Sequence, residues 1–216
     1  MRVTDEVMER LRALNTPTLA NALDDLGFPG VMRGIQAVGT GLRCVGRAVT
    51  ARETTGPKGS FPVDDFRVGD IIEAAGRGDV IVIDNGGHAV STWGGMASYA
   101  AKRMGIAGIV IDGACRDREE IVEFGFPAFS RHVVPTPGKT RIRIETIGGT
   151  VICGSVRVRP GDVVVADGSG VVVVPAEAAA EVAEQATRFA ADDRTAMREM
   201  DAGLTFKEAL AKFKKI

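Results

Sequence analysis

The 216-residue sequence predicts an α/β fold, because strand-like and helix-like segments alternate through its middle. The apolar runs 78–84 and 107–112 have the length and the Val and Ile content of buried strands, and the segment 96–104 between them has helical spacing. A second helical segment, 118–124, is followed by a third predicted strand, 126–133. Strands joined by a single helix usually lie parallel, so a right-handed crossover should make the first two strands neighbours.

The flanking segments supply the other elements. Thr16 followed by Pro17 indicates a helix start with Thr16 as its N-cap, and Gly27 is expected to end this helix. The remaining predictions are a strand around 47–52, a short helix or turn at 69–75, a loop at 85–95, a strand at 141–147, and two Val-rich strands joined by the turn Asp-Gly-Ser-Gly at 167–170.

The C-terminal segment from Ala176 is predicted to be helical, with a second helix near Thr205. Its apolar face follows helical spacing through Ala179, Val182, Ala183, Ala186, Phe189 and Ala190. These helices have few large apolar residues, so the segment 176–216 is expected to pack on its own core or on another subunit. No repeat or linker interrupts the sequence, and residues 1–216 are predicted to form a single domain.

The composition excludes several classes of partner. The formal net charge is −1, with 45% hydrophobic and 25% charged residues, so neither nucleic acid nor a membrane surface is an expected partner. No apolar run approaches the roughly 20 residues of a membrane-spanning helix, and acidic residues near the start argue against a signal peptide. Three widely spaced cysteines without a Cys-x-x-Cys pair are typical of reduced thiols in a cytoplasmic protein.

Two glycines stand at the start of the helix that follows the predicted loop. The amides of Gly95, Met96, Ala97 and Ser98 should point out of the helix start, where the helix dipole adds positive charge. A helix start of this kind can bind a carboxylate or a phosphate. Gly94 and Gly95 equally suit a tight turn without a ligand, and the motif alone leaves both interpretations open.

A cation and an anion, Arg116 and Asp117, stand where the strand 107–112 gives way to a helix. Asp117 followed by Glu120 fits a capping box, in which Asp117 would only cap its own helix. The functional alternative starts from position, because ligands bind at the carboxyl ends of strands in open α/β sheets. There a carboxylate can hold Mg²⁺ or Mn²⁺, and an arginine can bind a carboxylate or keto oxygen. The crossover predicted above would bring this pair and the glycine motif to the same sheet edge.

At these residues the chain resembles a known family. The stretch WGGMASYAAKRMGIAGIVIDGACRD is similar to the signature of the RraA-like family, which includes 4-hydroxy-4-methyl-2-oxoglutarate aldolases and the regulator of ribonuclease E activity. Further similar stretches are TPTLANALDDLG, GRAVTARET, GFPAFSRHVVPTP and RPGDVVVADGSGVVVVPAE. The resemblance implies a swivelling-domain-like β/β/α sandwich with a mixed sheet and C-terminal helices, assembled as a homotrimer or a homohexamer.

For the aldolase branch the resemblance implies a divalent-metal-dependent lyase that acts on small 2-oxo acids through a pyruvate enolate, by aldol cleavage or by oxaloacetate decarboxylation. Asp117 would bind Mg²⁺ or Mn²⁺, Arg116 would bind the keto oxygen and stabilise the enolate, and the helix start 94–98 would bind the carboxylate. The alternative is a regulator that binds and inhibits ribonuclease E without a metal.

Two positions depart from the aldolase pattern. Aldolases of the family often have an acidic residue where this sequence has Gly95. They also use a Glu from a C-terminal helix of a neighbouring subunit, and Asp193 is the nearest match to it as a catalytic residue. The metal shell and the proton transfer are therefore expected to differ.

Overall fold

The computed structural model, which describes residues 3–213, contains the predicted alternation of strands and helices. The helices are α1 (Asp5–Arg12), α2 (Thr16–Asp25), α3 (Val68–Ala74), α4 (Gly95–Met104), α5 (Arg118–Glu123), α6 (Ala179–Asp201) and α7 (Phe206–Lys212), with a 3₁₀ turn at Val63–Asp65. The strands are β1 (Gln36–Ala37), β2 (Cys44–Thr55), β3 (Val80–Asp84), β4 (Ser91–Trp93), β5 (Gly108–Cys115), β6 (Ala128–Val133), β7 (Ile142–Ile147), β8 (Val151–Cys153), β9 (Val156–Val158), β10 (Val163–Asp167) and β11 (Gly170–Val174).

Nine of these strands form one mixed sheet, and β8 and β9 form a separate pair. The order in the large sheet is β1-β6-β5-β3-β2-β10-β11, with β4 paired to β5 and β7 paired to β2. The central strands β2, β3, β5 and β6 are parallel, whereas β1, β7, β10 and β11 pair antiparallel. The predicted parallel neighbours are confirmed, because β3 and β5 are in register from Val80 opposite Gly108 to Asp84 opposite Asp112. The predicted α/β class and mixed sheet are confirmed as well.

Alternating side chains of the strands face different parts of the core, as the period of two requires. Ile81 and Ile109 pack in a cluster with α3, α4 and α5. Val80 and Val110, from the same strands, pack in a second cluster with β8, β9 and alternate residues of β10 and β11. A third cluster joins the other residues of β10 and β11 to α1, α2 and α6. The central strands are therefore apolar on both faces, which explains their continuous Val and Ile runs.

The predicted apolar face of α6 is confirmed in its first half, where it packs on the chain's own core. Val182, Ala183 and Ala186 are fully buried beside α1 and α2, and Phe189 and Ala190 are half-buried at the edge of the same cluster. The C-terminal helices also have exposed apolar residues, with Met197 55%, Phe206 63% and Leu210 49% exposed. No helix within residues 3–213 is long and apolar enough to cross a membrane. All three cysteines are buried and free.

Two predictions about local structure are wrong. Asn15 rather than Thr16 caps α2, since its side chain accepts from the Thr18 amide at 2.9 Å. Thr16 is instead the first helical residue, and its hydroxyl donates to Asp167 across the fold at 2.6 Å. The predicted loop 85–95 contains the strand β4, which forms because its backbone pairs with the end of β5. The strand is too short to show an alternation of apolar and polar residues in the sequence.

Candidate active site

The start of α4 and the end of β5 lie side by side, because β4 pairs with the last residues of β5. Trp93 is opposite Cys115 in this parallel ladder, and the Arg116 amide donates to the Trp93 carbonyl at 2.9 Å. Gly94 and Arg116 therefore follow two paired strands at the same level. The glycine motif and the charged pair meet at one sheet edge, as the crossover predicts.

Asp117 does not cap its own helix, so the capping-box interpretation is wrong. The residue is at the N-cap position of α5 with left-handed backbone (φ 57°, ψ 44°), and its side chain makes no capping bond. Its Oδ2 instead accepts from the Gly95 amide at 3.1 Å, at the start of α4. A left-handed residue other than glycine costs roughly 1 kcal/mol, with Asp and Asn the best tolerated. The backbone strain thus accompanies a carboxylate that faces the positive end of a neighbouring helix.

Gly94 gives this carboxylate room. A Cβ at Gly94 would lie 2.4 Å from Oδ2 of Asp117, which is too close, and 3.2 Å from Cγ of Arg116, which is a tight contact. The Arg116 Nε is 3.5 Å from the same Asp117 oxygen, and the arginine side chain is half-exposed. The glycine is therefore explained by the close approach of the charged pair, and a tight turn alone does not require it.

The pair opens on a cavity of about 340 Å³. Its lining includes Gly94, Met96, Ala97, Arg116 and Asp117 from the predicted site, together with Phe66, Val68, Ser91, Thr92, Trp93, Pro137 and Lys139. Apolar side chains form much of this lining, and its charged residues are Arg116, Asp117 and Lys139. Such a mixture suits a small ligand with one anionic end.

Ser98 is buried and stabilises the turn before α4. Its amide and its hydroxyl both donate to the Gly94 carbonyl at 3.0 Å, and the hydroxyl accepts from the Trp93 indole at 2.9 Å. Trp93 is itself buried and stacks on Phe126 at a centroid distance of 6.2 Å. The Ser98 amide is thus engaged inside the helix, which leaves the amides of Met96 and Ala97 as the outward donors of this helix start.

Glu120 fills the space that a side chain at Gly95 would occupy. A Cβ at Gly95 would lie 1.7 Å from Oε2 of Glu120 and 3.1 Å from its Cβ. The carboxylate of Glu120 therefore lies over the start of α4, next to the residue whose amide binds Asp117. Sequence reasoning assigned Glu120 to a capping box, and only the packing of α5 against α4 reveals this position.

Comparison with known proteins identifies the family. The family model described as RraA-like, Aldolase/RraA, matches residues 16–173, which is more than half of the chain. The chain belongs to the RraA-like family. A Halalkalibacterium halodurans relative named "Putative 4-hydroxy-4-methyl-2-oxoglutarate aldolase" is 32% identical over 194 residues, which cover 89% of this chain and 88% of the relative. Two other relatives are matched only in part: the chain spans 62% of a Methanocaldococcus jannaschii protein and 33% of the Legionella pneumophila protein DlpA.

Solved structures agree with the RraA-like assignment. An uncharacterised protein from Pseudomonas syringae pv. tomato superposes with a TM-score of 0.87 at 31% identity, covering 97% of this chain and 98% of that one. Streptomyces coelicolor RraAS2, described as an unusual member of the RNase ES inhibitor RraA protein family, superposes with a TM-score of 0.79 at 28% identity, covering 94% and 99%. The names of the relatives thus point to two activities, an aldolase and an inhibitor of a ribonuclease.

The predicted catalytic residue Asp193 and the predicted metal ligands of this RraA-like chain do not form one cluster within residues 3–213. Asp193 is half-buried on α6, which packs against α1 and α2, and it does not line the cavity within this chain. Burial, followed by the neighbouring Asp192, raises the pKa of Asp193. Among residues 3–213, no three His, Cys, Asp or Glu side chains form a group that could hold a metal ion unaided.

Proposed function

We propose that this chain is a divalent-metal-dependent lyase that cleaves small 2-oxo acids through a pyruvate enolate. The observation that supports it best is the Asp117 carboxylate, held in strained backbone against the start of α4, beside Arg116 and above a cavity. A helix cap would need neither the strain nor the arginine. The aldolase names of several relatives agree with this chemistry.

The donor set fits Mg²⁺ or Mn²⁺. These hard cations take one or two carboxylates and complete their shell with water and substrate, so a three-residue cluster is not required. Asp117 would be the direct ligand, and within residues 3–213 the hydrogen bond that its side chain accepts goes to Oδ2. Glu120 places a second carboxylate over the same helix start. When bound, the metal would polarise the 2-oxo group and stabilise negative charge.

The remaining groups bind and orient the substrate. The amides of Met96 and Ala97, at the positive end of α4, would bind the substrate carboxylate. Arg116 would donate to the keto oxygen and stabilise the charge that develops on it. In aldol cleavage the C4 hydroxyl loses its proton to water, and C4 becomes the carbonyl of the released product as the C3–C4 bond breaks. The electron pair of that bond forms the pyruvate enolate, which then takes a proton from water at C3. Oxaloacetate would give the same enolate by losing CO₂.

Pyruvate release tests the proposal. We expect pyruvate from oxaloacetate or from 4-hydroxy-2-oxo acids in the presence of Mg²⁺ or Mn²⁺, measured with a coupled lactate dehydrogenase. Arg116→Lys keeps the charge and loses the planar fork, so kcat/KM should fall about 100-fold. Absence of turnover, or an unchanged rate in the variant, would contradict the proposal.

The similarity to RraAS2 favours one alternative, a regulator that binds ribonuclease E. A chain that shows no turnover but inhibits RNA cleavage by ribonuclease E at micromolar concentration would be such a regulator.

We further propose that the chain forms a homotrimer or a homohexamer through its C-terminal helices. The exposed side chains of Met197, Phe206 and Leu210 support this interface. A neighbouring copy would then be the source of Asp193 as a catalytic carboxylate. We expect sedimentation equilibrium to give a mass at least three times that of the chain, and Phe206→Glu to lower it. A monomeric wild-type protein would rule out a site shared between copies.

A further inference from the structure

Glu53 is a buried carboxyl group that the mechanism above does not use. It lies on β2 at a register shift between Arg52 and Glu53 and is 7% exposed. Its Oε2 is 2.6 Å from the Thr92 hydroxyl, while its Oε1 is buried without a hydrogen-bond partner in residues 3–213. No ion pair to Glu53 occurs in the same residues. A buried carboxylate without a cation is costly, and such groups usually take up a proton instead.

The surroundings of Glu53 favour its neutral form. Burial raises the pKa of Glu53 to about 8, the Thr92 hydrogen bond opposes this shift, and Asp84 adds to it. The charged residues on the elements that pack against β2 are Asp84 on β3, Asp112 on β5, Arg143 and Glu145 on β7, Asp70 and Glu73 on α3, Asp167 on β10, and Asp5, Glu6, Glu9, Arg10 and Arg12 on α1. Arg67 precedes α3, and β2 itself carries Arg47 and Arg52. None of them pairs with Glu53 within residues 3–213: Asp112 binds Arg131, Arg143 binds Glu145, Arg67 binds Asp70, and Arg47 binds Asp5.

The neutral acid fixes the direction of the hydrogen bonds around Thr92. With Glu53 ionised, the Thr92 hydroxyl donates to Oε2. A neutral Glu53 must donate its one O–H, and because the partner within reach is the Thr92 oxygen, the direction of this bond reverses. That oxygen also lies 3.3 Å from Nδ2 of Asn85, which is identified as the amide nitrogen because it donates to the Val90 carbonyl as well. With both lone pairs of Thr92 filled, its hydroxyl hydrogen must turn to another acceptor. Thr92 lines the cavity beside Gly94 and Arg116.

We propose that the Thr92 hydroxyl donates to an oxygen of the bound 2-oxo acid and that Glu53 is the positioning residue that keeps it a donor. This inference rests on the proposed function for the identity of the ligand. When Glu53 ionises, Thr92 donates to Glu53 instead and the ligand loses a hydrogen bond. The carboxyl group therefore acts through Thr92 without touching the substrate.

Ligand binding tests the inference separately from turnover. Pyruvate binding is measured by calorimetry with Mg²⁺ present, for the wild type and for Thr92→Val, Thr92→Ser and Glu53→Gln. Thr92→Val should weaken binding about 10- to 100-fold, as expected for a lost hydrogen bond to a charged group, and Thr92→Ser should restore it. Wild-type affinity should fall between pH 7 and about 9 as Glu53 ionises, whereas Glu53→Gln donates at every pH and should bind equally well throughout.

The outcomes separate this inference from the proposed function. If Arg116→Lys weakens pyruvate binding but Thr92→Val does not, the role of Thr92 is refuted and the lyase site stands. If Glu53→Gln shows the same loss of affinity with pH as the wild type, the positioning role of Glu53 is refuted. If pyruvate binds as expected without turnover, the proposed lyase fails while the Thr92 contact holds. If the wild type binds no pyruvate, both fail.

Discussion

Replacing Asp117 by Asn is expected to lower kcat/KM for pyruvate release by about 10³-fold or more, with the fold intact. Asn adopts the left-handed backbone of this position as readily as Asp, and its carbonyl oxygen can still accept from the Gly95 amide. The substitution therefore removes the negative charge and little else. Thermal unfolding should be unchanged, and Mn²⁺ binding, measured by electron paramagnetic resonance, should be lost together with activity.

Neighbouring carboxylates supply the controls. Glu120→Gln should weaken Mn²⁺ binding about 10-fold, because its carboxylate lies over Gly95 and supports the metal from further away. Glu119→Gln removes an adjacent exposed charge from the same turn of α5 and should leave both metal binding and rate unchanged. Wild-type activity in Asp117→Asn would exclude Asp117 as a metal ligand.

Replacing Glu53 by Gln is expected to remove a large part of the pH dependence of stability. The pKa of Glu53 is raised from 4.5 to about 8 by burial, so the folded state holds a proton that the unfolded chain has released. The resulting loss of unfolding free energy is absent below pH 4.5, grows as the pH rises towards 8 and is constant above pH 8. Between pH 5 and pH 8 the wild type should therefore lose ~3 kcal/mol more unfolding free energy than the variant.

Urea unfolding at one protein concentration, followed at pH 5, 6.5 and 8, measures this difference. Glu119→Gln serves as the exposed carboxyl-to-amide control, and its curves should follow the wild type. Parallel pH profiles for Glu53→Gln and the wild type would show that Glu53 is ionised in the folded protein, which would also contradict its role as a donor to Thr92.

The sequence predicted the central architecture because its signals are local. The Val and Ile runs of β3 and β5, and the helix between them, were enough to predict parallel pairing and the meeting of Gly95 with Asp117. Short elements were harder to predict: β4 has only three residues, and it forms because it pairs with β5. The N-cap of α2 was misassigned because Asn15 and Thr16 are both good caps, and a distant partner, Asp167, engages the threonine.

The remaining site residues could not be predicted because their roles depend on contacts between distant segments. Glu53 and Thr92 are 39 residues apart in the chain, and nothing in the strand pattern of β2 indicates that a buried acid meets a hydroxyl there. Glu120 fits a capping box as well as any glutamate does, until the packing of α5 brings it over Gly95. Sequence spacing also cannot decide whether Asp193 reaches a site in another copy.

The position of Glu120 over Gly95 has a consequence for how such chains are classified. The absence of an acidic residue at position 95 would suggest, by alignment column, a site that has lost a carboxylate. Here the carboxylate of Glu120, a residue 25 positions later in the sequence, lies where the Cβ of such a residue would be. A side chain at position 95 and Glu120 in this position therefore exclude each other, so one carboxylate near the start of α4 can take the place of the other. Relatives compared by whether a carboxylate lies near the start of this helix, instead of by the residue aligned with position 95, would fall into groups that a sequence alignment separates.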